Sequence, residues 1–134
     1  MTPDQEKTKR KIQQLAQRAD AEGIERLKPD ERVVVVAYWA YGAISNGGLK
    51  FFYQSNVRLD TLVSALRALG LTAQADAALS TATQFPDPTI ADQPEIRADH
   101  WQHLNTREQD DVFYLLKWEQ LYDAIAAYWR RAVS

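Results

Sequence analysis

The chain has 134 residues and a mass of 15.3 kDa, with 46% hydrophobic and 25% charged residues, the balance of one globular domain rather than a disordered segment. It holds no cysteine, which excludes disulfides, thiolate metal sites and cysteine nucleophiles. Its net charge of −2 is unevenly spread: residues 1–32 carry eight Lys/Arg against seven Asp/Glu, whereas residues 76–123 carry ten acids against Arg97, Arg107 and Lys117.

Thr2-Pro3-Asp4-Gln5 has the form of a capping box with proline in the first turn, so a helix is expected from residue 3 to about 22. Its apolar stripe is narrow (Ile12, Leu15, Ala16, Ala19), and Gly23 ends it. The polar N-terminus has no apolar signal core, and the longest apolar run, Val33–Tyr41, is nine residues, far short of the roughly 18 that a membrane span needs. The expected location is therefore cytoplasmic. Lys7, Lys9, Arg10 and Lys11 cluster on the first helix, where Asp4 and Glu6 make them a solvated face rather than a nucleic-acid patch.

Pro29, Asp30 and Glu31 open a second helix, with proline in its first turn and acids at the positive end of its dipole. Val33–Val36 alone favours a strand. No breaker intervenes before Gly42, however, and Val33, Ala37, Ala40, Tyr41 and Ile44 keep helical spacing. Apolar residues on its other sides (Val34, Val36, Tyr38, Trp39) make residues 29–45 a central helix buried on most faces. Asn46-Gly47-Gly48 then marks a bend, with Asn46 ending one helix or capping the next, so that Phe51 and Phe52 fold back on Val33–Ile44.

Asn56 is expected to cap a helix bearing Leu59, Leu62, Val63, Leu66 and Leu69, closed at Gly70 by a Schellman motif with Leu71. Thr72 is expected to cap the next, with Ala75, Ala78, Leu79, Ala82 and Phe85 inward. From Phe85 to Asn105 periodicity collapses among three prolines, leaving one short helical stretch between Pro94 and Trp101; connections this long are often functional or mobile. Thr106-Arg107-Glu108-Gln109 forms a second capping box, with Asp110 and Asp111 in the first turn, opening a long helix whose inward stripe is Tyr114, Trp118, Leu121, Ile125 and Tyr128/Trp129. The expected architecture is all-α: a compact single domain, 1–134, of five or six helices around the 29–45 helix, with helix 3–22 as an added element.

No assembled catalytic set emerges. His100 and His103 are three apart, with Glu95 and Asp99 nearby, but no spaced metal signature supports them and a further ligand must come from elsewhere. Asp99 with His103 is no better founded as an acid–base pair. No serine sits in a GxSxG elbow, and the glycine pair lacks the rest of a phosphate loop. The aromatic residues stand at core spacing, except Trp101, which is either a latch onto the core or an interface anchor. The acidic band Asp87, Asp92, Glu95, Asp99, Glu108, Asp110 and Asp111 is the best candidate for a partner surface, with Asp110 and Asp111 also explained as helix-start charges.

Asn46-Gly47-Gly48-Leu49-Lys50-Phe51-Phe52-Tyr53, then Ala65-Leu66-Arg67-Ala68-Leu69-Gly70, then Ala82 to Phe85-Pro86, resemble in that order the bacterial uncharacterised-domain family typified by the DNA-mimic proteins. Leu104 to Tyr114 resembles that family's later Leu…Asp…Phe-Tyr segment, and the likeness covers residues 33–129. Leu49 stands where the family usually has an aromatic, and Lys50 where glutamine is common. The resemblance implies an all-helical, non-enzymatic protein-binding fold. One branch occupies the DNA-binding surface of a transcription regulator, and others resemble toxin-neutralising immunity proteins.

The expectation is a non-enzymatic domain that regulates or occludes a partner protein, an inhibitor or toxin-immunity-type protein whose partner is a toxin or a DNA-binding regulator. It needs no cofactor or metal and touches neither nucleic acid nor membrane. Its partner-binding candidates are Asp87, Asp92, Glu95, Asp99, Trp101, Glu108 and Asp111; its structural motif is Asn46, Gly47, Gly48, Phe51, Phe52 and Gly70. Two alternatives stand beside it: a DNA mimic binding a DNA-binding protein through the acidic 76–123 region, and a metal-dependent or acid–base enzyme using Asp99, His100 and His103.

Overall fold

The structure, a computed structural model, describes residues 1–133. It is an all-α single domain. Seven α-helices follow one another among the described residues: α1 (Pro3–Glu22), α2 (Pro29–Tyr53), α3 (Leu59–Ala68), α4 (Thr72–Ser80), α5 (Pro94–Arg97), α6 (Arg107–Tyr114) and α7 (Trp118–Val133). Short 3-10 turns lie at Ile24–Arg26, Thr81–Gln84, Pro88–Asp92 and Trp101–His103, and no strand occurs among the described residues.

Both halves of the Thr2–Gln5 capping box form, and Gly23, at φ 95°, stops α1. Ile12 enters the main core, while Leu15 joins a smaller cluster with Leu27 and Val35. α1 lies against α2 and α7, where Gln5 donates to Asp123 at 3.0 Å and the Lys11 ammonium sits 4.1 Å above the Trp129 ring. One cation of the basic cluster is thereby occupied on an aromatic face.

α2 is the centre. Glu31 accepts the Lys28 N–H at 2.9 Å and the Arg18 guanidinium at 3.0 Å; the backbone bond, then the cations, hold its carboxyl below the ordinary range. Val34–Ala37, Ala40, Tyr41 and Ile44 are buried, as a central helix requires. One side is open: Trp39 is 42% exposed, in contrast to the expectation for that face.

The start of α3 departs from expectation. Its N-cap is Arg58 rather than Asn56, and the orphan Asp60 N–H is taken at 2.7 Å by Asp92 from the long connection. Its end forms the Schellman motif at Gly70 (φ 74°), with Leu71 N–H bonded to Leu66 O and Gly70 N–H to Arg67 O. Thr72 is the first residue of α4 rather than its cap. Leu79, expected inward, is exposed. Gln74 and Thr81 are buried instead because each has a partner: Gln74 donates to Val112 O and Thr81 shares a 2.6 Å bond with the Tyr53 hydroxyl. The inward face centres on Gln74, Ala78 and Thr81, which leaves Leu79 about 100° round the helix from Ala78.

The long C-terminal helix is broken in two. No Gly or Pro marks the break; the Tyr41 hydroxyl donates to the Leu116 carbonyl there, and Leu116 turns inward. Phe113 is the buried aromatic of α6 and Tyr114 faces solvent, reversing the expected orientation. Leu121 and Ile125 are buried as expected, and Trp118 packs edge-on against Tyr41 at 4.6 Å.

Candidate functional site

The double glycine is a kink that joins two helical stretches within α2. The second stretch runs to Tyr53, and between the two Gly48 adopts φ 76°, ψ −178°, a region essentially reserved for glycine. Asn46 is not left-handed, since no non-glycine residue among the described residues has positive φ. The kink frees the Leu49 N–H, and Asp110 of α6 accepts it at 2.8 Å; the other oxygen of that carboxylate takes the Thr106 hydroxyl at 3.0 Å. The expected Thr106 box therefore does not form. Asp110 caps a helix that is not its own, and a Cβ on Gly48 would collide with its carboxylate. A Cβ on Gly47 would meet the Phe51 side chain. Phe52 folds back and is fully buried; Phe51, expected to do the same, is 44% exposed.

The proline-rich connection is ordered around a residue that sequence reading treated only as a counter-charge. Arg97 has no exposed surface. Its guanidinium donates to Ala91 O at 2.8 Å, Ser55 O at 2.9 Å and Tyr53 O at 3.2 Å, and lies 5.2 and 5.1 Å from the Phe52 and Tyr53 ring centres. Burial lowers its pKa, opposed by Tyr53, Asp92 and Glu95. Further ties hold the segment: Lys50 donates to Gln102 O, and Gln84 exchanges two hydrogen bonds with the Asn105 backbone. Trp101 is half-buried against the core, with the rest of its surface in solvent. His100 is half-buried, its ring edge-on to Phe85 at 6.5 Å, whereas His103 is exposed. No group of three or more His, Cys, Asp or Glu able to hold a metal comes together among the described residues.

The acidic candidates separate into two kinds. Asp87 and Asp92 serve the fold. Asp87 accepts from the Thr89 N–H and hydroxyl, which hold its carboxyl below the ordinary range, and Asp92 caps α3. Glu95, Asp99, Glu108 and Asp111 are exposed, and their side chains make no hydrogen bond or ion pair among the described residues. Glu95 belongs to α5, Asp99 follows it, and Glu108 and Asp111 stand on α6. The ion pairs Arg18–Glu31, Arg58–Asp60 and Arg67–Asp76 engage other residues. Between residues 87 and 111 the cations are Arg97 and Arg107, and Arg97 is hidden. The exposed connection is thus more acidic than its composition suggests.

The surface also carries two apolar features. Tyr114 is 53% and Leu115 77% exposed at the corner between α6 and α7. On the open side of α2, Tyr38, Trp39, Phe51 and Trp118 line a shallow groove of about 550 Å³ with Asn46 and Gln54. Sequence reading missed Arg97 and the exposure of Tyr114 and Leu115.

No helix is long and apolar enough to cross a membrane among the described residues. The family model described as DMP19-like protein matches residues 25–132, beginning after α1 and taking in every element from α2 to most of α7. No curated protein and no solved structure matches the chain.

Proposed function

The chain belongs to the DMP19-like protein family, a family of DNA-mimic proteins, and from that membership we propose that it binds the basic surface of a DNA-binding protein and occludes it, without catalysis. One observation carries this: Glu95, Asp99, Glu108 and Asp111 stay exposed and unpaired while the intervening cation, Arg97, is buried. A DNA-binding surface is built of Lys and Arg placed to neutralise phosphates. Carboxylates without internal partners meet those cations without first breaking bonds of their own, and the resulting attraction steers association and weakens with salt. A net charge of −2 is too small to imitate a long stretch of duplex, with about one charge per 1.7 Å of axis. The contact is therefore local, confined to α5, α6 and the turns between them.

An inhibitor or immunity-type role, with a basic toxin as partner, would use the same carboxylates, and competition with DNA separates the two. The wild-type chain and a Glu95→Gln/Asp99→Asn/Glu108→Gln/Asp111→Asn variant are used as baits in lysate of the source cell. The captured protein is then made recombinantly and titrated against duplex DNA. The expected result is a DNA-binding protein that the wild-type chain displaces from duplex in a salt-sensitive manner and the variant does not. A partner that both baits bind equally, or that duplex does not displace, would refute occlusion of a DNA-binding surface.

A further inference from the structure

We infer that the outward ridge of α6 is where the partner docks, with Leu115 as an apolar anchor set beside the carboxylates of Glu108 and Asp111; this rests on the occlusion reading above and names its contact point. Glu108, Asp111 and Leu115 stand at i, i+3 and i+7, the spacing that lines up side chains on one face of a helix. Leu115 follows the last residue of α6 but keeps helical dihedrals, φ −71° and ψ −24°, so the alignment extends to it. Their neighbours turn to either flank. Gln109 and Val112 border the groove toward α4, with Glu108 on its rim, and Asp110 and Tyr114 border the one that Lys50 and Thr106 line, with Asp111 on its rim. The ridge between these grooves carries the two unpaired carboxylates and, among the described residues, the most exposed large hydrophobic side chain.

The Leu115 side chain has no apolar partner cluster among the described residues. It belongs to neither core cluster, whereas Phe113 and Leu116 on either side of it are buried. A leucine left in water at 77% exposure forgoes stabilisation of about 25 cal/mol for each Å² that could have been covered. The charges around it specify what covers it. Glu108 and Asp111 share its face, Glu119 opens α7 just beyond, and Arg107 and Lys117 stand nearby, so acids prevail. The complementary surface is a small apolar depression rimmed by lysine or arginine on a partner protein. The carboxylates steer the encounter, and the desolvated leucine then slows dissociation. A duplex offers phosphates but no branched aliphatic anchor, so Leu115 lets a partner distinguish this protein from DNA.

The protein captured by the wild-type bait, made recombinantly, is titrated with wild type, Leu115→Ser and Glu108→Gln/Asp111→Asn over a range of NaCl concentrations. Melting curves confirm that each variant folds, as their exposed positions imply. Leu115→Ser is expected to weaken binding about tenfold at every salt concentration, through faster dissociation and with an unchanged salt slope. The carboxylate variant is expected to weaken binding most at low salt and to flatten the slope. Wild-type affinity in Leu115→Ser, with loss of the partner in the four-carboxylate variant, would overturn the docking ridge and leave occlusion standing. Binding insensitive to every one of these changes, or a bait that captures nothing, would overturn both.

Discussion

Arg97 shows how one side chain can organise a segment that has no periodicity of its own. Three carbonyls from two distant stretches, Tyr53 and Ser55 after the α2 kink and Ala91 in the connection, have their donor in this one guanidinium. In its absence they would be buried acceptors with no partner, each at a cost of about 1–3 kcal/mol. Arg97→Met should therefore lower stability by about 3 kcal/mol or more, a large share of the roughly 5–15 kcal/mol that typical domains possess. Arg97→Lys should restore only a fraction, because an ammonium cannot reproduce a planar fork directed at three separate oxygens. Urea midpoints of the two variants against wild type measure both. A wild-type midpoint in Arg97→Met would mean that the connection is held by its other ties.

At the scale of elements, the kink in α2 and the start of α6 form one device. Gly48 turns the chain, the turn frees the Leu49 N–H, and Asp110 supplies the acceptor from another helix. Two substitutions separate the parts. Asp110→Ala should cost about 1 kcal/mol, the ordinary value of a lost cap, while Asp110→Asn keeps an acceptor and should cost less. Gly48→Val should cost more than either, since it combines a forbidden backbone region, about 1–3 kcal/mol by itself, with a clash against Asp110. Thermal melts of the three variants give the order. A Gly48→Val chain that stays fully stable yet no longer binds the partner would make the bend a functional loop instead of a structural one. The same scale explains the helix caps that sequence reading misplaced. Asn56, Thr72 and Thr106 are suitable cap residues by type, but α3 is capped by Asp92 from the connection, and the Thr106 hydroxyl is engaged by Asp110. Local chemistry identifies a good cap; tertiary contact decides whether a better one arrives.

For the whole molecule, burial of tyrosines around α2 sets the alkaline limit. Burial, partly offset for Tyr53 by the hydrogen bond with Thr81 and by Arg97, raises the Tyr53 and Tyr122 phenols to about 12 each, against about 10 in an unfolded chain. Folding thus favours their protonated forms. The stability they contribute is complete below pH 10 and is lost as pH rises from about 10 toward 12, where the unfolded chain releases protons that the folded one retains. Tyrosinate absorbance followed together with helical circular dichroism should show these two groups ionising with unfolding in that window. Their ionisation well below it in a fully folded chain would contradict the buried positions.

The helical class, the central place of α2, the α1 capping box and the Schellman ending of α3 were all legible in the sequence, because each depends on residues within a few positions of one another. So was the resemblance carried by Asn46–Tyr53, which the family match bears out. Tertiary structure decided what depends on partners far away in the chain. The break between α6 and α7 is held by Tyr41, the inward face of α4 is set by the partners of Gln74 and Thr81, and Asp110 acts as a cap for α2. It also sorted the acidic band: Asp87 and Asp92 serve as caps, Trp101 lies half-buried against the core, Arg97 is drawn inside, and the side chains of Glu95, Asp99, Glu108 and Asp111 remain in water. Periodicity and capping are short-range properties that a sequence displays directly. Which charges remain free depends on how a folded chain satisfies its buried polar groups, and that is settled only when distant segments meet.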